Sequence, residues 1–290
     1  MKNKSVLIIG GSRFIGPRII DRLLDKKFAV TVFNRGNVKN SYPPGVMFVR
    51  GDRKKGFPFK NSFDLVIDMC AYRGEDTKIA LRELRFNFFI HMGTAAAYRK
   101  SEIFPLYEES PLGDWPVWGE YNQGKVACEE VLKKSGMLYA AVRPVYVLGA
   151  RNHLNRERFI YQSIKNNKQL ILPGDGRALT QYVFADEVAD AVLRLVETRT
   201  EGPINCAGDD YITLVGLVKV MAGLLGKEPI IRFNHAADGE NHDEEEFPFA
   251  NEHFIVSNER AKKIGIKFVS LQEGLMRDYE DYYKKVIGYD

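Results

Sequence analysis

The sequence has few of the residues that build metal or disulfide scaffolds, and it lacks a long apolar run. Its 290 residues include only three cysteines and five histidines. The cysteines Cys70, Cys128 and Cys206 are too widely spaced for a disulfide framework or a CxxC metal site, and the histidines show no zinc spacing. Free thiols are typical of a reducing cytoplasm. Since no apolar run reaches the roughly 18 residues that span a bilayer, we expect a cytoplasmic protein with neither metal nor membrane contact.

A large charge of one sign is also missing. Lysines and arginines number 42 against 38 acidic residues, which gives a formal net charge of +4. Six of those acids lie in residues 238–249, which contain no Lys or Arg, so the rest of the chain carries +10. Such a mildly basic balance suits a phosphate-rich ligand and excludes a strong nucleic-acid footprint. We expect the acidic segment to be a solvated loop; a cation site and a lid are the alternatives.

Apolar segments of strand length alternate with helical patterns over the first half of the chain. The strand-like segments are residues 5–9, 29–33, 46–49, 65–69, 88–92 and 139–143, and the helical ones are 15–24, 76–85 and 121–134. Near-continuous apolar strands that alternate with helices are typical of a parallel sheet covered on both faces. The sequence therefore predicts an α/β protein with a Rossmann-like, doubly wound parallel sheet. Residues 5–9 are interpreted as its first strand rather than as a signal peptide, because the apolar run is too short.

The pattern changes after Pro144. Residues 149–176 are polar and turn-rich, and residues 233–249 read as an exposed loop. Helices are predicted over 187–196, 214–225 and 271–286, and a short strand over 203–206. We predict a dinucleotide-binding domain over 1–148, to which 180–206 returns, and a smaller, mostly C-terminal substrate lobe formed by 149–179 and 207–290.

A glycine-rich turn separates the first strand from the first helix. It reads Gly10-Gly11-Ser12-Arg13-Phe14-Ile15-Gly16. Glycine allows a tight turn and a close approach of the backbone to a pyrophosphate, and the helix N-terminus adds amides and a positive dipole. We therefore predict that all seven residues contact a dinucleotide; a plain strand–helix turn is the alternative. Arg13 stands where a middle glycine is usual, so its side chain must point away from the pyrophosphate or toward another phosphate.

The end of the second strand predicts the type of dinucleotide. An acidic residue there selects NAD by binding the ribose 2′-hydroxyl, but this chain has Asn34 and Arg35. The missing carboxylate and the two guanidiniums of Arg13 and Arg35 favour the 2′-phosphate of NADP over NAD. A solvated surface role for Arg35 is the alternative. Asp52, after the third strand, is predicted to bind the adenine amino group, or else to form a turn beside Gly51.

Tyr121 and Lys125 have the spacing of an acid–base pair on a helix. Four residues apart, they lie on one helix face, and a nearby ammonium favours the phenolate form of a tyrosine. Thr94 follows the fifth strand, at the edge where parallel strands meet a ligand crevice. A hydroxyl there could polarise a carbonyl beside Tyr121. The structural alternatives are two ordinary helix residues and a strand-end cap.

Together these motifs resemble the extended short-chain dehydrogenase/reductase family, the NAD-dependent epimerase/dehydratases, over nearly the whole chain. GGSRFIG at 10–16 resembles the family turn GGxGxIG, and Thr94, Tyr121 and Lys125 match its Ser/Thr–Tyr–Lys triad. Further matching segments are Arg143-Pro144, 173–186 and 257–265. The motifs GGSRFIG, FNRG at 33–36 and DMCAY at 68–72 resemble one branch, the chloroplast stem-loop-binding proteins and their bacterial relatives.

The resemblance implies an NAD(P)-dependent oxidoreductase, epimerase or dehydratase that acts on a hydroxyl or ketone of a small polar, sugar-derived substrate. It implies that Tyr121 exchanges the proton at oxygen, that Lys125 holds the nicotinamide ribose, and that Thr94 fixes the carbonyl. Cys70 and Ala71 complete the implied cofactor contacts. The chain departs from the family at Arg13, at Asn34, and at Gln181, where sugar-nucleotide enzymes often carry arginine.

Two other functions stay open. Plant members of the resembled branch are linked to RNA, which bears on the first of them. One is an RNA-binding protein or ribonuclease on the same scaffold, and the other is a dinucleotide sensor without turnover. A basic cluster near Asp52 would contact the RNA. The cluster is formed by Arg50, Arg53, Lys54, Lys55 and Lys60. We expect RNA binding to be weak, because the chain lacks RNA-binding aromatic motifs and a dense basic stripe. A homodimer is an open arrangement.

Overall fold

The structure is a computed structural model that describes residues 4–38 and 42–289. Strands and helices alternate along much of the chain. The strands are β1 (Ser5–Ile9), β2 (Ala29–Asn34), β3 (Met47–Arg50), β4 (Ser62–Phe63), β5 (Leu65–Asp68), β6 (Arg85–Phe86), β7 (Phe89–Met92), β8 (Tyr139–Pro144), β9 (Tyr146–Leu148), β10 (Leu170–Pro173), β11 (Leu179–Phe184), β12 (Gly202–Cys206), β13 (Tyr211–Thr213) and β14 (Ile231–Asn234). The helices are α1 (Ile15–Asp25), α2 (Gly74–Glu83), α3 (Gly119–Lys134), α4 (Arg156–Lys165), α5 (Ala185–Thr198), α6 (Leu214–Leu224), α7 (Glu259–Lys263), α8 (Leu271–Asp278) and α9 (Lys284–Val286). The predicted strands of the first half thus lie within about two residues of those observed.

Seven parallel strands form the main sheet, in the order β12-β8-β7-β5-β1-β2-β3. From β1 the chain builds outward through β2 and β3, and then crosses to β5 and builds in the opposite direction. This reversal creates a crevice at the carboxyl ends of β1 and β5, where ligands bind in open α/β sheets. The predicted doubly wound parallel sheet is confirmed.

The two faces of the sheet carry separate apolar layers, because alternate side chains of a strand point to opposite faces. On β1, Val6 and Ile8 belong to the layer that includes α1 and α5, whereas Leu7 and Ile9 belong to the layer that includes α2 and α3. All four side chains are buried. Each fully buried aliphatic side chain contributes about 1.5–3 kcal/mol to the free energy of unfolding, so these layers hold α1 and α3 firmly against the sheet.

The second half of the chain differs from the prediction in three places. Residues 149–176 contain α4 and β10. Strand β14, which pairs in parallel with β10, ends inside the expected loop 233–249. The sequence of α4, RERFIYQSIK, has charged and polar residues that conceal its buried face of Ile160, Tyr161 and Ile164. The predicted C-terminal helix is divided, since a π-helical turn over Tyr279–Tyr283 separates α8 from α9.

Smaller sheets accompany the main one. Strands β13, β11 and β9 form a three-stranded sheet, and β4 pairs with β6. Strand β12 forms an edge of the main sheet, and α5 packs against α1. The division into two domains remains a prediction. In the described part of the chain, no helix combines the length and the hydropathy that a membrane crossing requires.

Candidate functional site

The glycine-rich turn has the backbone geometry that its three glycines permit. Gly10 and Gly11 have φ angles of +90° and +70°, a region that favours glycine. A Cβ on Gly10 would lie 2.9 Å from the Sγ of Cys70, and one on Gly16 would overlap the backbone of Gly11. The last glycine therefore lets α1 begin directly above the turn, with its N-terminal amides toward the crevice.

Phe14 and Arg13 complete this turn in different ways. Phe14 adopts a φ of +52°, a left-handed conformation that is uncommon for a bulky residue. Arg13 is exposed. Ser12 is partly buried, and Ile15 begins α1. All seven predicted residues thus lie in one turn at the carboxyl end of β1, and their contact with a dinucleotide stays a prediction.

Asn34 connects the end of β2 to this turn. Its Nδ2 donates to the carbonyl oxygen of Gly10 at 3.2 Å and to the Oη of Tyr42 at 2.8 Å, and its Oδ1 accepts from the amide of Gly36 at 2.9 Å. The side chain of Asn34 therefore braces the backbone and brings no negative charge to this edge. Arg35 is exposed, and its backbone carbonyl accepts from the Nε of Arg50 at 3.1 Å.

Asp52 has the turn-capping role that was weighed against an adenine contact. Its Oδ1 accepts from the amide of Lys54 at 3.0 Å and caps the short 3₁₀ helix Arg53–Lys55. The second carboxylate oxygen is free of a hydrogen bond within the described residues. A contact to adenine through that oxygen stays a prediction.

The expectation that Arg53 belongs to an exposed basic cluster is wrong. Arg53 is buried and forms a two-pronged ion pair with the fully buried Asp68, at 2.6 and 2.9 Å. Burial alone lowers the pKa of Arg53, but the Asp68 carboxylate outweighs this effect and raises the pKa. The same guanidinium donates to the Sγ of Cys70 at 3.3 Å. The ion pair fixes the end of β5. The only feature of the sequence that indicated this pair was the acidic residue at the end of an apolar strand.

Cys70 and Ala71 follow β5 and face the turn after β1. Burial, reinforced by Asp68, raises the pKa of Cys70 to about 11, so the thiol stays protonated at neutral pH. Its amide donates to Asp68 Oδ1 at 3.1 Å. Ala71 is fully buried. Cys70 lies beside Gly10, and Ala71 is the next residue in the chain. A dinucleotide bound at the predicted turn would pass along these two residues.

The three predicted catalytic residues gather around the end of β7. The Nζ of Lys125 is buried and donates to the carbonyl oxygen of Met92 at 2.7 Å. It lies 5.9 Å from the ring centre of Tyr121, whose side chain is 42% exposed. Thr94 follows Met92 by two residues, and its Oγ1 accepts from the amide of Ala96 at 3.1 Å. Thr94 thus caps the short 3₁₀ helix Ala95–Ala97 that follows the strand, and its hydroxyl proton is still available for donation.

The sequence prediction missed a second tyrosine in this group. The ring centres of Tyr72 and Tyr121 are 6.3 Å apart, and the Nζ of Lys125 lies 4.9 Å from the Tyr72 ring. A Cβ on Gly124 would overlap the carbonyl oxygen of Tyr72, so this glycine lets α3 lie directly on the backbone after β5. Partial burial raises the pKa of Tyr72, and Tyr121 raises it further. Tyr72 lies in the DMCAY segment, but nothing in its spacing indicated this contact.

A buried polar network lies behind these residues. Arg143 binds the carboxylate of Glu129 through two nitrogens, the closest contact being 2.6 Å. It also donates to the Oη of Tyr98 at 2.9 Å, and that hydroxyl donates to Asn205 at 2.7 Å. Burial raises the pKa of Tyr98 to about 12. The network joins α3 to strands β8 and β12 and keeps α3 in place.

His91 is buried on β7 beside this network. Among the described residues, neither of its ring nitrogens has a hydrogen-bond partner. Burial lowers the pKa of His91 well below its usual value, and the charges of Lys125, Arg53 and Arg143 lower it further. The imidazole is therefore neutral and packs in the core.

Gln181, the position where sugar-nucleotide enzymes often carry arginine, has a structural role. Its Nε2 donates to the carbonyl of Gly208 at 2.7 Å, and its Oε1 accepts from the amide of Val256 at 2.9 Å. The side chain is buried, so both ends of the amide are occupied in joining two backbone segments.

A surface groove of about 370 Å³ lies between residues 100–102 and the segments 238–239 and 251–253. It is bordered by Lys100, Asp238, Glu252 and His253, among others. Lys100 and Glu252 form an ion pair at 2.9 Å across it. The acidic segment thus borders a groove as well as solvent. In residues 4–38 and 42–289, no group of three His, Cys, Asp or Glu side chains is arranged to hold a metal ion.

Comparison with known proteins shows which family the chain is similar to. The model of the NAD dependent epimerase/dehydratase family matches residues 76–207. The chloroplast stem-loop binding protein of 41 kDa b from Arabidopsis thaliana is 29% identical over 300 residues, which cover 95% of this chain and 78% of that protein. Over these residues the chain is similar to the NAD-dependent epimerase/dehydratase family. The resemblance inferred from the motifs is therefore confirmed, including its link to the stem-loop-binding branch.

Solved structures of similar fold support the same assignment of the fold. UDP-N-acetylglucosamine 4-epimerase from Methanobrevibacter ruminantium M1, in complex with UDP-N-acetylmuramic acid, superposes with a TM-score of 0.80 over the full length of both chains, at 20% identity. UDP-glucuronic acid 4-epimerase from Bacillus cereus, in complex with NAD, also gives a TM-score of 0.80, at 17% identity, covering 98% of this chain and 99% of that chain. At these identities the likeness establishes the shared Rossmann fold.

Proposed function

We propose that this protein is an NAD(P)-dependent enzyme of the extended short-chain dehydrogenase type that epimerises, dehydrates or oxidises the sugar part of a sugar nucleotide. The observation that carries the proposal is the position of Lys125, whose buried ammonium lies beside Tyr121 at the carboxyl end of β7. That end opens into the same crevice as the glycine turn after β1. The 4-epimerases of similar fold, whose complexes contain NAD or UDP-sugars, support this substrate class.

The residues at the crevice fit a dinucleotide. Gly10 and Gly11 bring the backbone close to a pyrophosphate, and α1 points its N-terminus at the same place. Asn34 and Arg35 would meet the adenosine ribose and Asp52 the adenine, whereas Cys70 and Ala71 would line the path between the strands. Lys125 would hold the nicotinamide ribose. When bound, the nicotinamide supplies the hydride chemistry.

The chain's own residues would handle the proton. Tyr121 is exposed enough to reach a substrate hydroxyl and would remove or return its proton. The ammonium of Lys125, fixed by the Met92 carbonyl, stabilises the phenolate by its charge. The hydroxyl of Thr94 would donate to the same substrate oxygen. Tyr72, whose raised pKa keeps it protonated, would form a wall of the site beside Lys125.

NADP is proposed as the preferred dinucleotide over NAD. Asn34 brings no carboxylate to the end of β2, because its amide is bound to Gly10 and Tyr42. Arg35 is exposed at the same edge, and no carboxylate of the described chain forms an ion pair with it. A guanidinium in this position suits a 2′-phosphate.

RNA binding is the second candidate, and one observation favours it. The Arabidopsis relative that matches almost the whole chain is named for stem-loop binding. The basic cluster is smaller than the sequence suggests, because Arg53 is buried on Asp68, whereas Arg50, Lys54, Lys55 and Lys60 are exposed. This loss of one charge favours weak binding. A homodimer and a cytoplasmic location stay predictions.

The proposed function can be tested with purified protein and a panel of UDP-sugars. UDP-glucose, UDP-N-acetylglucosamine and UDP-glucuronic acid would be incubated with NAD or NADP, with reduced nicotinamide followed by absorbance and the sugars by NMR. We expect a new sugar product with at least one substrate. Tyr121→Phe should lose it, whereas Tyr107→Phe, a control at another exposed tyrosine, should keep it. No product from any pair, although a dinucleotide binds, would favour the sensor.

A further inference from the structure

A loop from the second half of the chain packs on the glycine turn. Residues 149–155, here called the 149–155 loop, bring the ring of His153 within 6.1 Å of the ring of Phe14. A Cβ on Gly149 would lie 3.3 Å from the same phenylalanine. Arg18 donates to the carbonyl oxygen of Phe14 at 2.8 Å and to that of Ala150 at 3.2 Å. One guanidinium thus ties the loop to the turn.

Positive groups converge where the loop meets the turn. Arg13 precedes Phe14 in the turn, and Arg156 follows His153 by three residues at the start of α4. Partial burial lowers the pKa of His153, and the charges of Arg13 and Arg156 lower it further. Arg156, at the start of α4, is held over the rings of Tyr146 and Phe249 at 5.2 and 5.6 Å. Among the described residues, no carboxylate forms an ion pair with Arg13 or Arg156. Such a cluster attracts an anion.

We infer that Arg13 and His153 clamp the pyrophosphate of the dinucleotide from the side of the 149–155 loop, with Arg156 adding charge behind them. This rests on the proposed function. The position of Arg13 is the one at which glycine otherwise lets a pyrophosphate approach the backbone. Arg13 itself is outside the left-handed region, and the uncommon φ angle falls on Phe14. The turn can therefore carry an arginine, which binds phosphate oxygens through two parallel hydrogen bonds.

Arg13 and Arg35 should affect the affinity for different nucleotides in different ways. A pyrophosphate is common to NAD, NADP and ADP, so Arg13 should strengthen the binding of all three by a similar factor. Arg35, at the end of β2, should distinguish NADP alone. A charge-assisted hydrogen bond corresponds to roughly tenfold to a hundredfold in affinity. AMP, which has one phosphate, should lose less when Arg13 is replaced.

His153 adds a pH dependence with a definite sign. The ring of Phe14 packs on His153, and Arg18 lies over that ring. The charges that act on His153 are those of Arg13 from the turn and Arg156 from α4. The buried Glu157 is turned into the loop by hydrogen bonds from Gly149 and Asn152. A bound pyrophosphate opposes the two guanidiniums and raises the pKa of His153. Protonation and binding then favour each other, so the affinity for NAD should rise as the pH falls from about 8 to about 6.

The experiment is calorimetric titration of NAD, NADP, ADP and AMP into wild type and four variants: Arg13→Gln, Arg13→Gly, His153→Gln and the control Arg232→Gln. Arg232 is exposed and lies on β14, far along the chain from the turn. We expect both Arg13 variants to weaken NAD, NADP and ADP by a common factor of about ten or more. His153→Gln should remove the pH dependence, and Arg232→Gln should match wild type.

The contrary outcomes are distinct. If Arg13→Gly binds dinucleotides as tightly as wild type or more tightly, Arg13 is no clamp and the inference is overturned while the proposed function stands. If NADP alone weakens, Arg13 reads the 2′-phosphate, and the inference is again overturned. If wild type binds none of the nucleotides, the proposed function fails, and the inference fails with it. Thermal unfolding of each variant confirms that it is folded.

Discussion

The Nζ of Lys125 donates a 2.7 Å hydrogen bond to the carbonyl oxygen of Met92, which joins helix α3 to the last residue of strand β7. The lysine is buried, and its hydrogen bond to Met92 fixes the position of its Nζ. Tyr121 is much more exposed and lies one helical turn earlier. The pair thus combines a fixed charge with an accessible phenol, which is what a tyrosine acid–base group needs.

The first prediction separates these two residues. Tyr121→Phe should leave dinucleotide binding within about twofold of wild type and remove most turnover, a loss of about 10²-fold or more, because only the proton-transfer oxygen is lost. Lys125→Met should weaken both binding and turnover. Titration of the cofactor and steady-state kinetics on a confirmed UDP-sugar would measure the two effects. Near wild-type turnover in Tyr121→Phe would show that another group transfers the proton.

The second prediction concerns the contact between α3 and the segment after β5. A Cβ on Gly124 would overlap the carbonyl oxygen of Tyr72, which is backbone and cannot rotate away. Gly124→Ala should therefore lower the free energy of unfolding by about 1–3 kcal/mol. Gly223→Ala is the matched control, since a Cβ there meets open space within α6 and alanine favours the helix by about 0.5–1 kcal/mol. Urea unfolding would distinguish them, and equal effects would contradict the close packing.

The sheet and its turn could be predicted from the sequence because their signals are local. The apolar run of β1, the glycines after it and the spacing of Tyr121 and Lys125 each lie within a few residues. Helix α4 was missed for the same reason, since RERFIYQSIK shows little apolar character until its buried face is known. Local patterns therefore fixed the architecture but not every element of the second half.

The supports of the site could not be predicted, because their partners are far apart in the chain. Arg53 reads as one more basic residue in GDRKK, and only the sheet order shows that it meets Asp68. Tyr72 comes near Lys125 because α3 packs on the end of β5. The same holds for His153, which reaches Phe14 across more than a hundred residues. Each contact is set by tertiary packing rather than by spacing.

The third prediction concerns Glu157, which lies buried beneath the 149–155 loop. Its Oε1 accepts from the amide of Gly149 at 2.5 Å and its Oε2 from Asn152 at 2.8 Å, but burial raises its pKa from 4.5 to about 7. Folding therefore favours the protonated acid. The stability from this group is full below about pH 4.5 and is lost as the pH rises to about 7, a change of about 3 kcal/mol.

Glu157→Gln should remove that pH dependence. Urea unfolding at about pH 5 and about pH 8 would give the difference in the free energy of unfolding. We expect the difference to shrink in Glu157→Gln and to stay at its wild-type size in Glu244→Gln, a change at an exposed glutamate of the acidic segment. An unchanged difference in Glu157→Gln would mean that Glu157 is ionised in the folded protein.

The fourth prediction concerns the choice of dinucleotide. NADP should bind more tightly than NAD by about tenfold or more, because a charge-assisted contact to the 2′-phosphate contributes about 1.5–3 kcal/mol. Arg35→Gln should remove most of this preference, and Asn34→Asp should reverse it by placing a carboxylate at the end of β2. Calorimetric titration of both cofactors measures the ratio. Equal affinities in wild type, or tighter NAD, would refute the preference.

The last prediction sets RNA against a small ligand. A protein whose principal substrate is RNA must neutralise several phosphates, so its affinity falls steeply with salt. Here the exposed lysines Lys54 and Lys55 flank Asp52, while Arg53 is withdrawn into its pair with Asp68. RNA bound at this edge would overlap the proposed adenine site. We expect weak, sequence-indifferent binding that saturating NADP reduces and moderate salt abolishes.

Binding and cleavage of a structured RNA would be measured with and without NADP, in wild type and in Tyr121→Phe. Tight binding that NADP does not affect, with specific cleavage that survives the loss of the Tyr121 hydroxyl, would make RNA the principal substrate.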